Sequence, residues 1–364
     1  MPPVDIVYAY VNGTDPQFAR RFAEATNSST RCDRVESSNE LLMGLTAICK
    51  HQSWVRQVFV VVDQQPLNLG FLPPGCPRVS VLDLSDFVPV QYLPTFNSHV
   101  FETFLWRIRG LSEHFIYLND DMVLANPILP ARLFKLPRDN GAGVPAMTPD
   151  GQPDGNGTAA LFRASLGQRD WKVPHPKAKV PPALSWKWPR FNGLELFKSA
   201  FDGADPAGFD AHGAYPLTRT AMQQTWEMFK PQLEGRLTQN KKRHYARLKA
   251  GGDVHFTSLS QQVGVQLGLM ATGSPLTLLF VRHDSAAGVR QYTQALFKSR
   301  AHVVCLQEMR RISDRDLAKL CGLVADLWCA TVPQTTHQRV TGNPCALLVA
   351  MCSHRIRCDS KSGH

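Results

Sequence analysis

Three short runs of β-branched and aromatic residues, each closed by polar residues, constrain the fold of this chain more than any other feature. Val4 to Val11 stops at Asn12-Gly13 and Asp15-Pro16, Val55 to Val62 stops at Asp63-Gln-Gln-Pro66, and Phe115 to Leu118 stops at Asn119-Asp120-Asp121. Apolar runs of this length, bounded by turn residues, read as buried strands. Between them Asn39 is placed to cap a helix over Glu40 to Lys50, and Val79 to Leu82 adds a strand before Asp83. Phe101 to Leu111 reads as a further helix. Strands alternating with helices predict a mostly parallel sheet. In open sheets of this kind the carboxyl ends of the strands form one rim, where ligands bind. The expected fold is therefore α/β and Rossmann-like, with Asn12, Asp63 and Asn119 along that rim.

Beyond residue 133 the pattern changes. Residues 134–210 are rich in Pro, Gly and Trp, including Trp171-Lys-Val-Pro and Trp186-Lys-Trp188-Pro. The stretch is long for a loop and reads as an insertion capping the sheet. Its tryptophans suit stacking on a sugar or nucleotide, or packing of the insertion's own small core. Helices are expected over 217–230 and 256–270, with the basic stretch Lys241 to Arg247 between them. A strand around Val303 to Leu306 precedes a helix from about Ser313 to Trp328, so this part of the chain is expected to be largely helical. The expected organisation is an α/β half over 1–133, the insertion over 134–210, a part completing the catalytic domain over 211–335, and a Cys-containing tail over 336–364.

A net charge of +10 and a pI near 9.3 in 364 residues favour acidic partners. The basic residues are scattered rather than blocked, which argues against nucleic acid. No apolar run approaches the ~20 residues of a membrane span, and residues 1–10 lack the pattern of a signal peptide. Membrane association is thus expected only through an anchor absent from this chain. The nine cysteines have no C-x-x-C spacing among the five nearest the C-terminus, Cys321 to Cys358. Zinc-finger chemistry is not expected there, and both disulfides and reduced thiols remain open.

The adjacent acids Asp120 and Asp121 repel one another unless something positive sits between them and an anionic ligand. At a strand's end they suggest a divalent metal, Mg²⁺ or Mn²⁺, held against a diphosphate. Asn119 is placed to orient one of them or to contact the ligand itself. Asp5, taken to stand at the rim end of the opening segment, suits nucleotide or metal contact, or else caps a backbone turn. Asn12-Gly13 makes a tight turn whose backbone N–H groups can approach a phosphate. Asp63 is a further candidate for nucleotide contact.

Four separated segments resemble the Stealth family of sugar-1-phosphate transferases, which includes bacterial capsule polymerases and the enzymes that modify lysosomal glycoproteins. Asp5-Ile-Val-Tyr-Ala-Tyr10-Val-Asn12-Gly13-Thr-Asp15-Pro is similar to the family's opening segment, with Tyr10 in place of Trp. Leu93-Pro-Thr-Phe-Asn97-Ser98-His99 and Phe115-Ile-Tyr-Leu-Asn119-Asp120-Asp121 match long and nearly unbroken strings. Ala211-His212 resembles an A-H-x-P element, and Arg247-Leu-Lys249-Ala-Gly-Gly-Asp253 stands where the family has an Arg ahead of S-x-x-D. Cys305-Leu306-Gln307-Glu308 stands where the family has C-L-N-D. In the helix after Glu40, relatives carry two Arg where this chain has Leu42 and Thr46.

The resemblance implies a nucleotide-sugar transferase core and a reaction in which an acceptor hydroxyl attacks the sugar-proximal phosphorus of a nucleotide-diphosphate sugar. It implies His212 as general base, for which an ordinary pKa of about 6.5 is suited. Arg247 or Lys249 would neutralise phosphate charge. Asp5 and Asp121 would share the catalytic work. Asn97, Ser98, His99 and Glu308 would contact donor or acceptor, the latter being a glycan or glycoprotein. By analogy with eukaryotic relatives the place is the Golgi lumen, and by analogy with bacterial ones the cytoplasmic face of a membrane. A metal-dependent glycosyltransferase of similar fold and an impaired glycan-binding member are the competing readings.

Overall fold

The computed structural model describes residues 1–13, 15–26, 40–70, 72, 75–135, 145–147, 153–158, 160–168, 187–210, 213–239, 251–273, 276–282 and 300–307. In chain order the elements are β1 (Val4–Ala9), α1 (Pro16–Thr26), α2 (Glu40–His51), β2 (Val55–Val62), β3 (Arg78–Asp83), α3 (Ser98–Glu102), β4 (His114–Asn119), β5 (Met122–Leu124), α4 (Pro130–Leu133) and β6 (Phe134–Lys135). There follow β7 (Pro145–Met147), β8 (Pro153–Thr158), β9 (Leu161–Phe162), β10 (Leu166–Gln168), α5 (Trp188–Ala200), β11 (Phe209–Asp210), β12 (Tyr215–Thr218), α6 (Arg219–Gln239), α7 (Phe256–Gln266), β13 (Leu278–Arg282) and β14 (Val303–Gln307).

The central, mostly parallel sheet has the order β12-β4-β1-β2-β3. Its β3-β2-β1-β4 run is the strand order of a Rossmann half, and the direction of winding changes between β1 and β4. β2 and β3 pair in parallel from Gln57↔Arg78 to Val62↔Asp83. β12 closes one edge antiparallel to β4, from Tyr215↔Tyr117 to Thr218↔His114. Pro216 is tolerated there because an edge strand can lack one ladder N–H.

The chain forms two compact units of interleaved segments. The first is Met1–Asp5, Leu84–Tyr117 and Leu129–Pro275; the second is Ile6–Asp83, Leu118–Ile128 and Leu276–His364. In the second unit Ile6, Val7 and Tyr8 of β1 and Val58 to Val62 of β2 are buried, which is why these strands read as continuous apolar runs. α2 buries Leu41 to Thr46 and Ile48. A second sheet, β13-β14-β5, has β13 and β14 parallel and β14 antiparallel to β5. A disulfide joins Cys49 near the end of α2 to Cys76 just ahead of β3, a pairing that spacing alone did not disclose.

In the first unit α5 and α7 bury most of their residues. Three local expectations differ from what is found. The segment 101–111 is not one helix: α3 starts at Ser98 because Asn97 caps it by accepting the His99 N–H at 3.2 Å, and a 3₁₀ turn follows over Leu105–Arg107. Gly110, at φ +80°, then turns the chain away. The helix expected over 217–230 begins at Arg219 because residues 215–218 pair with β4, and it continues through Pro231 to Gln239. Burial of Leu233 and Leu237 offsets the hydrogen bond that Pro231 removes. The insertion contributes α5, where Trp188 is buried and meets Phe191 edge-on with ring centroids 5.9 Å apart. Trp188 therefore packs a core. Trp171, Trp186, the helix expected over 313–328 and the C-terminal cysteines lie outside the described residues.

Candidate functional site

In the second unit the chemistry gathers where β1 and β4 end. Asn119 is the last residue of β4, and Asp120 and Asp121 form the turn into β5. The Val11 backbone N–H hydrogen-bonds the Asp120 carboxylate, so the ends of β1 and β4 meet at this acid. The Tyr10 N–H donates to Val61 O at 2.9 Å, which brings the end of β2 to the same rim. The rim expected of Asn12, Asp63 and Asn119 is thus formed.

The electrostatics of the acid pair are unfavourable without a cation. Burial, then Asp121, then Glu40 push the Asp120 carboxyl well above the ordinary range, against two backbone hydrogen bonds that favour its ionised form. Beneath the acids lies Tyr8, fully buried, whose hydroxyl donates to Met122 O at 2.8 Å. Burial first and the two aspartates second raise its pKa. The Cys305 thiol of β14 donates to Asp121 Oδ2 at 3.4 Å, so the Cys305-Leu306 segment is tied to the acids through β14. Carboxylate oxygens are the donors that Mg²⁺ or Mn²⁺ prefers. The repulsion that raises Asp120 is what a bound dication would relieve, so the residues present fit such an ion.

Residues that the sequence reading passed over support the rim. Gln65 clamps the Asn12 backbone, accepting its N–H at 2.9 Å and donating to its carbonyl at 2.6 Å. Arg21 of α1 donates to the Asp63 carbonyl at 2.7 Å and to its Oδ2 at 3.2 Å. Burial raises the Asp63 carboxyl, Arg21 opposes this and Asp83 adds to it. Leu42 and Thr46, where relatives carry Arg, are buried, and the Thr46 hydroxyl is turned to Leu42 O at 2.8 Å.

The first unit holds a different cluster. Asn97 Nδ2 donates to Asp253 Oδ2 at 2.9 Å, and His99 Nδ1 lies 3.4 Å from the same oxygen. The asparagine and histidine of the Asn97-Ser98-His99 string are thereby joined to the aspartate that closes the Arg247-to-Asp253 segment. Asn192 of α5 holds the Asp253 carbonyl at 2.7 Å and accepts the Gly251 N–H at 2.9 Å. Behind this layer Arg190 makes a two-armed pair with Asp210 at 3.1–3.2 Å and donates to Tyr215 Oη at 2.9 Å. Burial alone would lower the Arg190 pKa, but Asp210 overrides it and the net shift is upward. His255, Arg190 and Asp210 lie far from Asn97 in sequence, and no periodicity singles them out; Glu102 follows the Asn97-Ser98-His99 string and belongs to the same family-like segment.

Asp5 is corrected by its position. It is the second residue of β1, at the strand's amino end rather than the carboxyl rim, and it is fully buried. Its Oδ2 accepts the Ser112 N–H at 2.7 Å, which is the backbone-capping alternative. His212, Arg247, Lys249 and Glu308 lie outside the described residues.

Comparison with known proteins bears on this geometry. The profile of Stealth protein CR2, conserved region 2, matches residues 34–140, which span both the Asn97-Ser98-His99 string and the Asn119-Asp120-Asp121 strand end. Over that region the chain is similar to the Stealth family. Relatives include the capsular polysaccharide phosphotransferase of Neisseria meningitidis serogroup B, 28% identical over 68% of the chain and 61% of that protein. The exopolysaccharide phosphotransferase SCO6023 of Streptomyces coelicolor is 42% identical over 36% of the chain and 23% of that protein. The capsular polysaccharide phosphotransferase fcs1 of Haemophilus influenzae is 25% identical over 84% of the chain and 78% of that protein. The chain thus spans under two thirds of the first two relatives. These relatives are bacterial and lend no support to the Golgi placement. The apo-form glycosyltransferase GlyE of Streptococcus pneumoniae TIGR4 aligns over 85% of the chain and 55% of its own, at 11% identity and a TM-score of 0.34. That likeness is too low to carry weight here. Among the described residues, no helix is long and apolar enough to cross a membrane.

Proposed function

We propose that this chain is a sugar-1-phosphate transferase acting on a polysaccharide. The donor is a nucleotide-diphosphate sugar of the UDP-N-acetylglucosamine or GDP-mannose type. The observation that carries the reading is the paired carboxylate of Asp120 and Asp121 at the point where β1 and β4 end, the usual ligand position of an open α/β sheet. The names of the relatives support phosphotransfer onto a glycan as the reaction type.

In the proposed reaction the acceptor hydroxyl oxygen bonds to the sugar-proximal phosphorus. The bridging P–O bond to the nucleoside phosphate breaks, and the nucleoside monophosphate leaves. The hydroxyl proton passes to a base, for which His212 is the candidate. The product is a sugar phosphodiester. Asp120 and Asp121 would hold Mg²⁺ or Mn²⁺, which when bound neutralises diphosphate charge. With the Asn12 N–H donated to Gln65, the Asn12-Gly13 turn would meet the donor phosphates through the Asn12 side chain and the Gly13 N–H. Arg247 or Lys249 would answer the remaining phosphate charge, with Asp63, Asn97, Ser98, His99, Asn119 and Glu308 as donor or acceptor contacts.

The test is to incubate the chain and Mg²⁺ with each donor in turn and an acceptor polysaccharide, then separate the released nucleotides. Nucleoside monophosphate is expected, with loss of roughly 10²–10³-fold in rate in Asp121→Asn and in His212→Ala at intact folding. Release of nucleoside diphosphate would identify a glycosyltransferase instead, and unchanged turnover in either variant would remove that residue from its role.

A further inference from the structure

We propose that His99, Glu102 and His255 of the first unit form a divalent-metal site of Zn²⁺ type, chemically distinct from the all-carboxylate pair Asp120 and Asp121. One ligand atom from each of the three residues lies within 4.8 Å of the others. Two imidazoles and one carboxylate are a borderline-soft donor set that suits Zn²⁺, whereas Mg²⁺ takes oxygen ligands. Tetrahedral Zn²⁺ with bonds near 2.0–2.1 Å places its ligand atoms roughly 3.4 Å apart, so small side-chain rotations close the triad.

The second observation is Glu102 itself. The residue is 3% exposed, and its Oε1 accepts the Tyr117 hydroxyl at 3.1 Å. Among the described residues, its Oε2 is buried with no hydrogen-bond partner. A buried carboxylate oxygen left unmatched is costly, and a metal ion at the triad supplies the missing partner.

The outer contacts are those that metal-bound histidines need. His99 has Nδ1 3.4 Å from Asp253 Oδ2, which leaves Nε2 as its ligand atom. His255 has Nδ1 2.7 Å from Ser258 Oγ, and the single hydroxyl proton of Ser258 goes to Asp210 Oδ1. Ser258 Oγ must therefore accept at the shorter contact, so Nδ1 of His255 carries the proton and Nε2 the lone pair. The Ser258 N–H also points at Nδ1, but at 3.4 Å, and the 2.7 Å contact decides the tautomer. The two rings stand edge to face with centroids 5.6 Å apart. A small pocket beside His99 is also lined by Asn97, Asp253, Arg236 and Leu237. Three protein ligands leave one position open, the pattern of a reactive rather than a purely structural zinc.

The experiment uses the full chain, stripped with a chelator and titrated with Zn²⁺ or Co²⁺. One tightly held equivalent is expected by elemental analysis after desalting, and Co²⁺ should give ligand-field absorption without a thiolate charge-transfer band. Affinity should fall by at least 10²-fold in Glu102→Gln and in His255→Gln, and by 10–100-fold in Asp253→Asn, which acts through His99. Asp121→Asn should keep the equivalent. Circular dichroism confirms that each variant is folded. If the variants do not fold, anomalous diffraction at the zinc edge on the unaltered protein decides, with a peak among the three side chains expected. Absence of a bound equivalent, its retention in both ligand variants, its loss in Asp121→Asn, a thiolate band or a peak elsewhere would each overturn the proposal.

Discussion

At the scale of single residues, Asp120 carries the clearest consequence. Its carboxyl is raised by burial, Asp121 and Glu40, so the folded chain holds a proton that the unfolded chain has already lost. Stability therefore falls as pH rises from the unfolded carboxylate value, about 3.9, through the raised folded value. His114 works in the opposite direction: burial lowers its pKa to about 4, and stability is lost as pH drops from about 6.5 toward that value. Comparing Asp120→Asn with the unaltered chain isolates the first effect. In metal-free buffer the variant is expected to melt higher at pH 7.5, with a gap that narrows as pH falls and that Mg²⁺ reduces in favour of the unaltered chain. A variant melting lower than the unaltered chain at pH 7.5 would show that the acid is not strained. The cost of this carboxylate in the metal-free fold is the usual mark of a group kept for binding rather than stability.

At the scale of elements, the packing of α2 against the rim decides whether the acids are held in place. Gly44 faces Tyr8: a Cβ there would lie 2.5 Å from the Tyr8 hydroxyl oxygen and 3.0 Å from its Cζ. That hydroxyl is bonded to Met122 O, one residue beyond Asp121, and the ring is rigid. Gly44→Ala is therefore expected to destabilise the protein by about 1–3 kcal/mol despite the better helix propensity of alanine. Adding Tyr8→Phe, which removes the clashing oxygen, should recover part of the loss in denaturant unfolding, and additive losses would argue against the clash. The helix itself was legible from apolar spacing after Glu40. The reason for glycine at its centre was not, because the contact spans residues 36 positions apart. Likewise Leu217 and Thr218 read as helix from local pattern and became strand because β4 offers a ladder to pair with.

At the scale of the whole molecule, a net charge of +10 suits the anionic donor of the proposed reaction. Charge spread over a surface raises encounter with anions and is screened within about 10 Å at 0.1 M salt. The KM for the proposed nucleotide-diphosphate-sugar donor is accordingly expected to rise by roughly tenfold between 20 and 300 mM salt, with kcat little changed. A KM independent of salt would mean that only contacts inside the site count. Strand identities, the order of alternation and the acidic end of β4 follow from local residue pattern, because burial on both faces writes continuous apolar runs and ligand positions fall where those runs stop. The segments around Asn97 and Asn119 carried the family resemblance, because their strings are long and unbroken. Neither pattern could say that Asp5 caps Ser112, that Asp253 meets Asn97 and His99, or that Glu102 lies beside His255. These are contacts between residues more than 100 positions apart, set by the tertiary fold, and burial rather than sequence spacing determines which carboxylates are left needing a cation.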